Sequence, residues 1–116
     1  MALDGYGHRL AVVFRAPAAL RVFDLKTERV VASLGVCSDA DDVFFDEARD
    51  RIYIICGQGV VDVVGRHGSA YERLARIPTA AGARTGMWSP SEDRLYVAAP
   101  ARAGAEASIL VLRAEA

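Results

Sequence analysis

Short apolar runs separated by polar turns follow one another along nearly the whole chain. The clearest series is DDVFFD, RIYIIC, VVDVVGR and YERLARI in the middle of the sequence, interrupted by EARD, GQG and HGSA. Runs rich in Val, Ile, Tyr and Phe that are bounded by Gly and Asp predict β-strands joined by tight turns. In RIYIIC both the odd and the even side chains are apolar, which is typical of a strand buried on both faces. The pattern predicts an all-β protein.

The same pattern returns at a fixed interval. LDGYGHRLAVVF, FDEARDRIYIIC and WSPSEDRLYVAA can be aligned, and their arginines Arg9, Arg51 and Arg94 stand 42 and then 43 residues apart. A period of this length is typical of a β-propeller blade made of four antiparallel strands. The chain is predicted to hold about two and two-thirds blades of an incomplete ring. Blade 1 is expected at about 1–40, blade 2 at about 41–83 and blade 3 at about 84–116, the last without its outer strand.

An incomplete ring has consequences for the surface. Closed propellers have roughly four to eight blades, and each blade buries its apolar faces against its neighbours. The two end blades are therefore expected to expose apolar flanks. The third blade would also offer the unpaired backbone edge of its third strand to another chain. An apolar share of 53% is above the usual range for soluble chains and agrees with this expectation.

The net charge and the first residues predict which classes of partner and which location to expect. Fourteen basic and fifteen acidic residues give a net charge of −1 without a basic stripe, so neither nucleic acid nor a membrane is expected as a partner. The start MALDGYGH lacks the basic and apolar regions of a signal peptide. A cytoplasmic location is expected for the chain as given, although the start of a piece cut from an exported protein would carry no such information.

The cysteines and histidines are expected on opposite sides. Cys37 follows the last strand of the first repeat and Cys56 ends the second strand of the next, so both approach one rim. One disulfide is possible, but two buried free thiols are favoured because nothing else marks an oxidising compartment. His8 and His67 fall in turns on the other face. A zinc site built from these four residues is not expected, and neither a metal nor a cofactor is predicted.

The ligand face of a propeller is formed by the connections around its central channel. An acidic cluster of Asp39, Asp41 and Asp42 lies in one of these connections, and Arg84 holds the matching place one repeat later. The carboxylates could contribute to a cation site or hold a protonated group. The favoured interpretation is that Asp39 and Asp41 shape the turn through their own backbone while Asp42 pairs with an arginine. Between the repeats, an Asp41–Arg84 pair is expected.

Four further residues have two interpretations each. Arg15 and Gln58 stand on turns of adjacent repeats and could reach a polar ligand, or could simply be solvated. Phe45 and Trp88 occupy equivalent positions on the inner strands. They could form a stacking platform for an aromatic ligand, but packing between blades is favoured.

The sequences of the repeats resemble those of a known family. SPSEDRLYVAA is similar to the motif SPDG-x-RLYVA of YVTN-type β-propellers, and RVFDLKTERVVASL resembles their motif V-x-D-x-x-T-x-x-V-V-x-x-I. The resemblance covers essentially the whole chain and points to the C-terminal blades of a bacterial seven-bladed ring. It implies a binding or display scaffold, with related rings in some lactonases and dehydrogenase subunits. It carries over no catalytic residue.

Three hypotheses about function follow. The favoured one is a non-catalytic scaffold that self-assembles, because two or three copies would supply about five to eight blades for a closed ring. Such a ring could bind a ligand at the channel mouth. The second is a fragment that complements the missing blades of a larger propeller. The third is a propeller enzyme of the lactonase or dehydrogenase-subunit kind that uses Asp41 and Asp42. It is less favoured because a nucleophile needs a base within reach and both histidines lie on the other face.

Overall fold

The computed structural model describes residues 1–115 and contains eleven β-strands. The strands are β1 (Ala2–Asp4), β2 (Arg9–Arg15), β3 (Ala18–Asp24), β4 (Arg29–Gly35), β5 (Ala40–Asp46), β6 (Arg51–Cys56), β7 (Val60–His67), β8 (Ala70–Pro78), β9 (Thr85–Ser89), β10 (Arg94–Ala99) and β11 (Ser108–Arg113). In this part of the chain no helix is long and apolar enough to span a bilayer.

The strands form three separate antiparallel sheets in which each strand pairs with the next along the chain. Sheet 1 contains β1 to β4, sheet 2 contains β5 to β8, and sheet 3 contains β9 to β11. None of the sheets closes on itself, and sheet 3 has no fourth strand within the described residues. The protein is therefore all-β, with propeller-like blades in an incomplete arrangement, as the sequence predicted.

The hydrophobic core lies between the sheets in two layers. Ala11, Leu20 and Val22 of sheet 1 pack against sheet 2, and Leu95 and Val97 of sheet 3 pack against its opposite face. The central strand β6 contributes to both layers in strict alternation: Ile52, Ile54 and Cys56 point to sheet 1, and Tyr53 and Ile55 point to sheet 3. All five are buried. The prediction that RIYIIC is covered on both faces is confirmed.

The innermost strand of sheet 3 lies unusually close to its neighbours at Gly86. A Cβ at this position would overlap the backbone carbonyl oxygen of Tyr96 and would stand 2.5 Å from the Cδ1 atom of Ile55. Because the carbonyl belongs to the paired strand β10 and cannot easily move, only glycine fits. The contact fixes how tightly sheet 3 docks on sheet 2.

Cys37 and Cys56 form a disulfide. Their Cα atoms are 5.9 Å apart, and both side chains are buried at the same rim. The predicted proximity is confirmed, but the preference for two free thiols was wrong. Cys37 follows β4 and Cys56 ends β6, so the bond ties the connection between sheets 1 and 2 to the middle of sheet 2.

Two outer surfaces expose apolar side chains. On β11, Leu110 and Leu112 pack into the core while Ile109 and Val111 are 61% and 54% exposed. We call the outer face of sheet 3 the forward flank; it carries Met87, Tyr96, Ala98, Ile109 and Val111. The outer face of sheet 1 is the rear flank and carries Leu3, Leu10, Val12 and Phe14. Leu3 and Phe14 are exposed there, because within residues 1–115 no sheet lies against this face.

Candidate functional site

The connections between the sheets meet at one rim, which we call the upper rim. The amide of Gly57 donates to the carbonyl of Asp39 at 2.9 Å, and the amide of Gly82 donates to the carbonyl of Gly57 at 2.8 Å. These bonds draw the β4–β5, β6–β7 and β8–β9 connections together. All six residues proposed from the sequence lie on or beside this rim: Arg15, Asp39, Asp41, Asp42, Gln58 and Arg84.

Four of the six form a continuous row of ion pairs. Arg15 of sheet 1 binds Asp41 through Nη2 and approaches Asp39 Oδ1 through Nε at 3.4 Å. The other oxygen of Asp39 accepts from Arg84 Nε at 2.6 Å. The row therefore runs from the end of β2, across the start of sheet 2, to the residue that precedes β9.

The expected Asp41–Arg84 pair was wrong, because Arg84 binds Asp39. Asp39 has a φ of 59°, and its carboxylate lies directly over Gly57. A Cβ on Gly57 would overlap that carboxylate and would lie 2.8 Å from Arg84 Nε. The missing side chain of Gly57 thus leaves the space in which the Asp39–Arg84 pair forms.

The remaining two residues bind backbone groups. Asp42 accepts from the amide of Gly86 at 3.3 Å and from its neighbour Val43 at 3.2 Å. Gln58 Oε1 accepts from the amide of Ser38 at 2.8 Å. The roles expected for the acidic cluster are therefore reversed: Asp39 and Asp41 pair with arginines, whereas Asp42 caps backbone N–H groups and ties sheet 2 to sheet 3.

At the upper rim the carboxylates of Asp39 and Asp41 are already paired with arginines and are not free to bind a cation. The hydrogen bond to Asp41, with the charges of Asp41 and Asp39, raises the pKa of Arg15 above its ordinary value. A cation would have to displace an arginine from Asp39 or Asp41 before it could bind there. Among residues 1–115, no three His, Cys, Asp or Glu side chains converge as a metal site requires.

A second network occupies the opposite, lower rim. Arg9 binds Asp4 through Nε at 2.8 Å, Tyr71 through Nη1 at 2.7 Å and Asp50 through Nη2 at 2.8 Å. Burial alone would raise the pKa of Asp4, but hydrogen bonds from the amide of Gly7 and from Arg9 outweigh it and hold that pKa below its ordinary value. The network joins sheet 1 to the β5–β6 turn of sheet 2 through Asp50 and to its outer strand β8 through Tyr71.

A further lower-rim network, built on Arg49 and not on the aligned Arg51, joins sheets 2 and 3. Asp46 accepts from the Tyr53 hydroxyl at 2.5 Å and from Arg49 at 3.2 Å, and Arg49 also binds Asp93 at 3.0 Å. Burial, together with the hydrogen bond to Asp46, raises the pKa of Tyr53 above its ordinary value. Neither network was predicted from the sequence. Their signal is the Asp that ends the first strand of both repeats, Asp4 and Asp46.

The aromatic residues pack between blades, as the sequence favoured. The guanidinium of Arg9 lies 5.1 Å from the ring centroid of Phe45. Tyr53 and Trp88 meet edge to face, with ring centroids 5.0 Å apart and planes inclined by 60°. Both contacts span an interface between sheets and strengthen it.

Comparison with known proteins supports the fold. No protein-family profile and no curated protein matches the sequence. Among solved structures, the chain is similar to Kuenenia stuttgartiensis hydrazine synthase, a protein that contains a β-propeller. The superposition has a TM-score of 0.83 at 17% identity and covers 97% of this chain and 32% of the other. The chain thus spans about a third of that structure's length, and at this identity the similarity shows the fold alone.

Proposed function

We propose that this protein is a non-catalytic β-propeller scaffold that binds further blades through its two apolar flanks, and that these blades are copies of itself. The observation that carries the proposal is the exposure of apolar side chains on both outer sheets. The equivalent positions of the middle repeat are buried between sheets. Ile109 and Val111 on the forward flank and Phe14 on the rear flank are 61%, 54% and 41% exposed. A contiguous apolar face of this kind marks an interaction surface.

The internal contact between sheets 2 and 3 provides a template for the contact between copies. There Tyr53 and Ile55 of β6 pack in the same layer as Leu95 and Val97 of β10. In the aligned repeats, Tyr96 and Ala98 of the forward flank correspond to Tyr53 and Ile55. On the rear flank, Leu10 and Val12 correspond to Leu95 and Val97. The forward flank of one copy therefore matches the rear flank of the next.

This contact joins two different surfaces, so each copy retains a free flank until a ring closes. Two copies would supply about five or six blades and three copies about eight, both within the range of closed propellers. The upper rim is proposed as the surface at which such an assembly binds a ligand or partner. No catalytic role is proposed, because Asp39 and Asp41 are already held in ion pairs.

The length covered in the structural comparison favours a second candidate. The chain matches 32% of the similar solved structure, so the same flanks could instead bind the remaining blades of a larger propeller. In that case the blades that cover the flanks differ in sequence from this chain, and its copies need not bind one another.

The Cys37–Cys56 disulfide bears on location. Disulfides persist mainly in oxidising compartments. We therefore propose that the protein works in such a compartment, in place of the cytoplasm expected from its first residues.

A mixing experiment tests self-assembly. Ile109→Lys places a charge on the forward flank and Phe14→Lys places one on the rear flank. Each variant alone should remain a monomer in analytical ultracentrifugation. When mixed, they should form a one-to-one complex, because the intact forward flank of the Phe14→Lys chain meets the intact rear flank of the Ile109→Lys chain. Ala103→Lys, in the exposed β10–β11 connection, is the matched control and should assemble like the unaltered protein.

The outcomes separate the candidates. Failure of the mixture to associate, although both variants keep the β-sheet circular dichroism of the unaltered protein, would overturn head-to-tail self-assembly. If the unaltered chain also stays monomeric and folded, the flanks do not bind copies of this chain. The complementing role would then require a different partner.

A further inference from the structure

The turn between the first two strands of each sheet has the same backbone shape in all three repeats. The residue just before the aligned arginine has a positive φ in each: 52° for His8, 52° for Asp50 and 56° for Asp93. Apart from glycine, Asp, Asn and His adopt this conformation more readily than other residues. The three positions are therefore equivalent, and sheet 1 carries a histidine where sheets 2 and 3 carry an acid.

Inside the chain, the two acids at this position face backward and bind an arginine of the preceding sheet. Asp50 binds Arg9 of sheet 1 at 2.8 Å, and Asp93 accepts from Arg49 of sheet 2 at 3.0 Å. Each pair joins two neighbouring sheets at the lower rim. In the part of the chain that the structure describes, no sheet precedes sheet 1, and the exposed imidazole of His8 has no bonded partner there.

The forward flank carries an acid where the internal contact carries an arginine. In the aligned repeats, the position of Arg49 is occupied in sheet 3 by Glu92. Glu92 is exposed, and its carboxylate accepts from the Ser89 hydroxyl at 3.0 Å and from the Tyr96 hydroxyl at 3.3 Å. A carboxylate has about four acceptor positions, so Glu92 can also accept from a group on another chain.

If the contact between sheets 2 and 3 is repeated between two copies, these two residues meet. Glu92 of one copy takes the place of Arg49, and His8 of the next copy takes the place of Asp93. A long and a short side chain are replaced by two of intermediate length, so the combined reach is similar. The junction between copies thus has a charge complementarity of its own, with the acid and the base exchanged relative to the internal contact.

Other charged groups also lie near this junction. They are Arg94 and Arg113 on the forward flank, and Lys26 and Glu28 in the turn between β3 and β4. This turn lies beside His8, because the amide of Leu25 donates to the carbonyl oxygen of His8 at 2.8 Å. Lys26 and Arg113 are exposed and have long side chains, so their charges can extend into water and are screened there.

Glu28 offsets the remaining cation. Strand pairing makes Glu28 equivalent to Tyr71, which accepts from Arg9 at 2.7 Å. The residue equivalent to Arg9 in sheet 3 is Arg94. Arg94 of one copy therefore lies beside Glu28 of the next, and Glu92 is the acid that faces the imidazole.

We propose that copies of this chain join through a proton-dependent ion pair between Glu92 of one copy and His8 of the next. An ordinary imidazole takes up its proton near pH 6.5, at about physiological pH. The pair is ionic below that pH, so association binds a proton, and self-assembly is strengthened by mild acid and weakened as pH rises towards about 8. This inference rests on the proposed head-to-tail self-assembly and states how that contact is regulated.

The dissociation constant between copies tests the proposal with the full chain. It is measured by analytical ultracentrifugation at about pH 5.5 and about pH 8, on either side of the histidine titration, at one ionic strength. The unaltered protein should associate about tenfold more tightly at the lower pH, as expected for one ion pair across an interface. His8→Gln should remove this difference. His67→Gln should keep it and is the matched control, because His67 is the other histidine of the chain and ends β7.

Exchange of the charges gives a sharper test. Glu92→Arg places a cation against His8, so association of this variant should become weaker on acidification. Glu92→Arg combined with His8→Asp reproduces the Arg49–Asp93 pair between copies. This double variant should associate at least as tightly as the unaltered protein and equally at both pH values. The new aspartate fits the turn, because Asp50 and Asp93 adopt the same positive φ.

The outcomes separate this inference from the proposed function. Assembly that does not tighten at the lower pH, or that stays pH-dependent in His8→Gln, would overturn the ion pair and leave self-assembly intact. A double variant that associates no better than Glu92→Arg alone would do the same. A folded chain that remains a monomer at both pH values would overturn both proposals.

Discussion

Replacement of Asp62 tests how the chain connects sheet 1 to sheet 2. Asp62 is fully buried on β7. It accepts from the amide of Cys37 at 2.9 Å and from Arg76 through Nε at 2.7 Å and Nη2 at 3.0 Å. In Asp62→Ala the amide of Cys37 becomes a buried donor without a partner, which costs about 1–3 kcal/mol.

The loss of Arg76's partner adds to this cost, but less than for a fully buried pair. The side chain of Arg76 is 35% exposed, so its guanidinium can turn towards water. Breaking a fully buried pair costs about 3–5 kcal/mol, and we expect a total of about 3 kcal/mol for Asp62→Ala. For a domain of this size each kcal/mol corresponds to a Tm change of about 4 °C, so Tm should fall by roughly 12 °C.

Thermal and urea unfolding of a set of variants measures this directly. Asp62→Asn keeps an acceptor for Cys37 and should cost about half as much. Arg76→Leu leaves the buried carboxylate with one partner. It should be more destabilising than the Asp62→Leu, Arg76→Leu double variant, in which position 62 carries leucine as the equivalent position 110 does in sheet 3. Additive effects of Asp62→Ala and Arg76→Leu would refute the reasoning, because residues that contact each other must show a coupling energy.

Three other perturbations have definite expected outcomes. Since the pKa of Asp4 is lowered in the folded state, its stabilising effect should be complete above about pH 4 and disappear as pH falls further; the stability difference between the unaltered protein and Asp4→Asn should shrink over that range, and a constant difference would contradict it. Gly86→Ala should cost about 2–3 kcal/mol through overlap with the paired strand, while Gly5→Ala, where a Cβ meets nothing within 4 Å, should be nearly neutral; equal effects of the two on urea unfolding would exclude the close approach. A reductant should lower the stability by about 3 kcal/mol, the value expected when a disulfide closes a loop of about 19 residues, because Cys37 and Cys56 lie 19 positions apart; an unchanged melting curve would mean free thiols.

The sequence predicted the sheets because periodicity and turn residues are local signals. The middle repeat shows this: its four apolar runs correspond to β5, β6, β7 and β8, with ends that differ by no more than one residue. The alternation in RIYIIC also predicted the two core layers. Each of these features depends on side chains a few positions apart.

The pairing of charged residues was not predictable in the same way. Asp39, Asp41 and Arg84 were correctly placed at one rim, but the partner of Arg84 depends on the positive φ of Asp39 and on the gap over Gly57. Neither follows from spacing. The disulfide was missed for a related reason. Free thiols were favoured because nothing else in the sequence indicates an oxidising compartment, and the sequence does not give the distance between Cys37 and Cys56.

One of the two lower-rim networks contains Arg9, an arginine that aligns the repeats. Arg9 served only to set the period, yet it binds Asp4, Tyr71 and Asp50. The equivalent Arg51 donates instead to the backbone carbonyl of Glu115 at 2.8 Å, so the repeated arginine alone does not predict an ion pair in each blade.

The central claim is that the flanks of the outer sheets bind copies of this same chain. The mass of the unaltered protein in solution, measured by size-exclusion chromatography with light scattering, tests it most directly. At micromolar concentration the account predicts a single species at twice or three times the chain mass of 12.4 kDa. A well-folded species at the mass of one chain, unchanged at higher concentration, would contradict it.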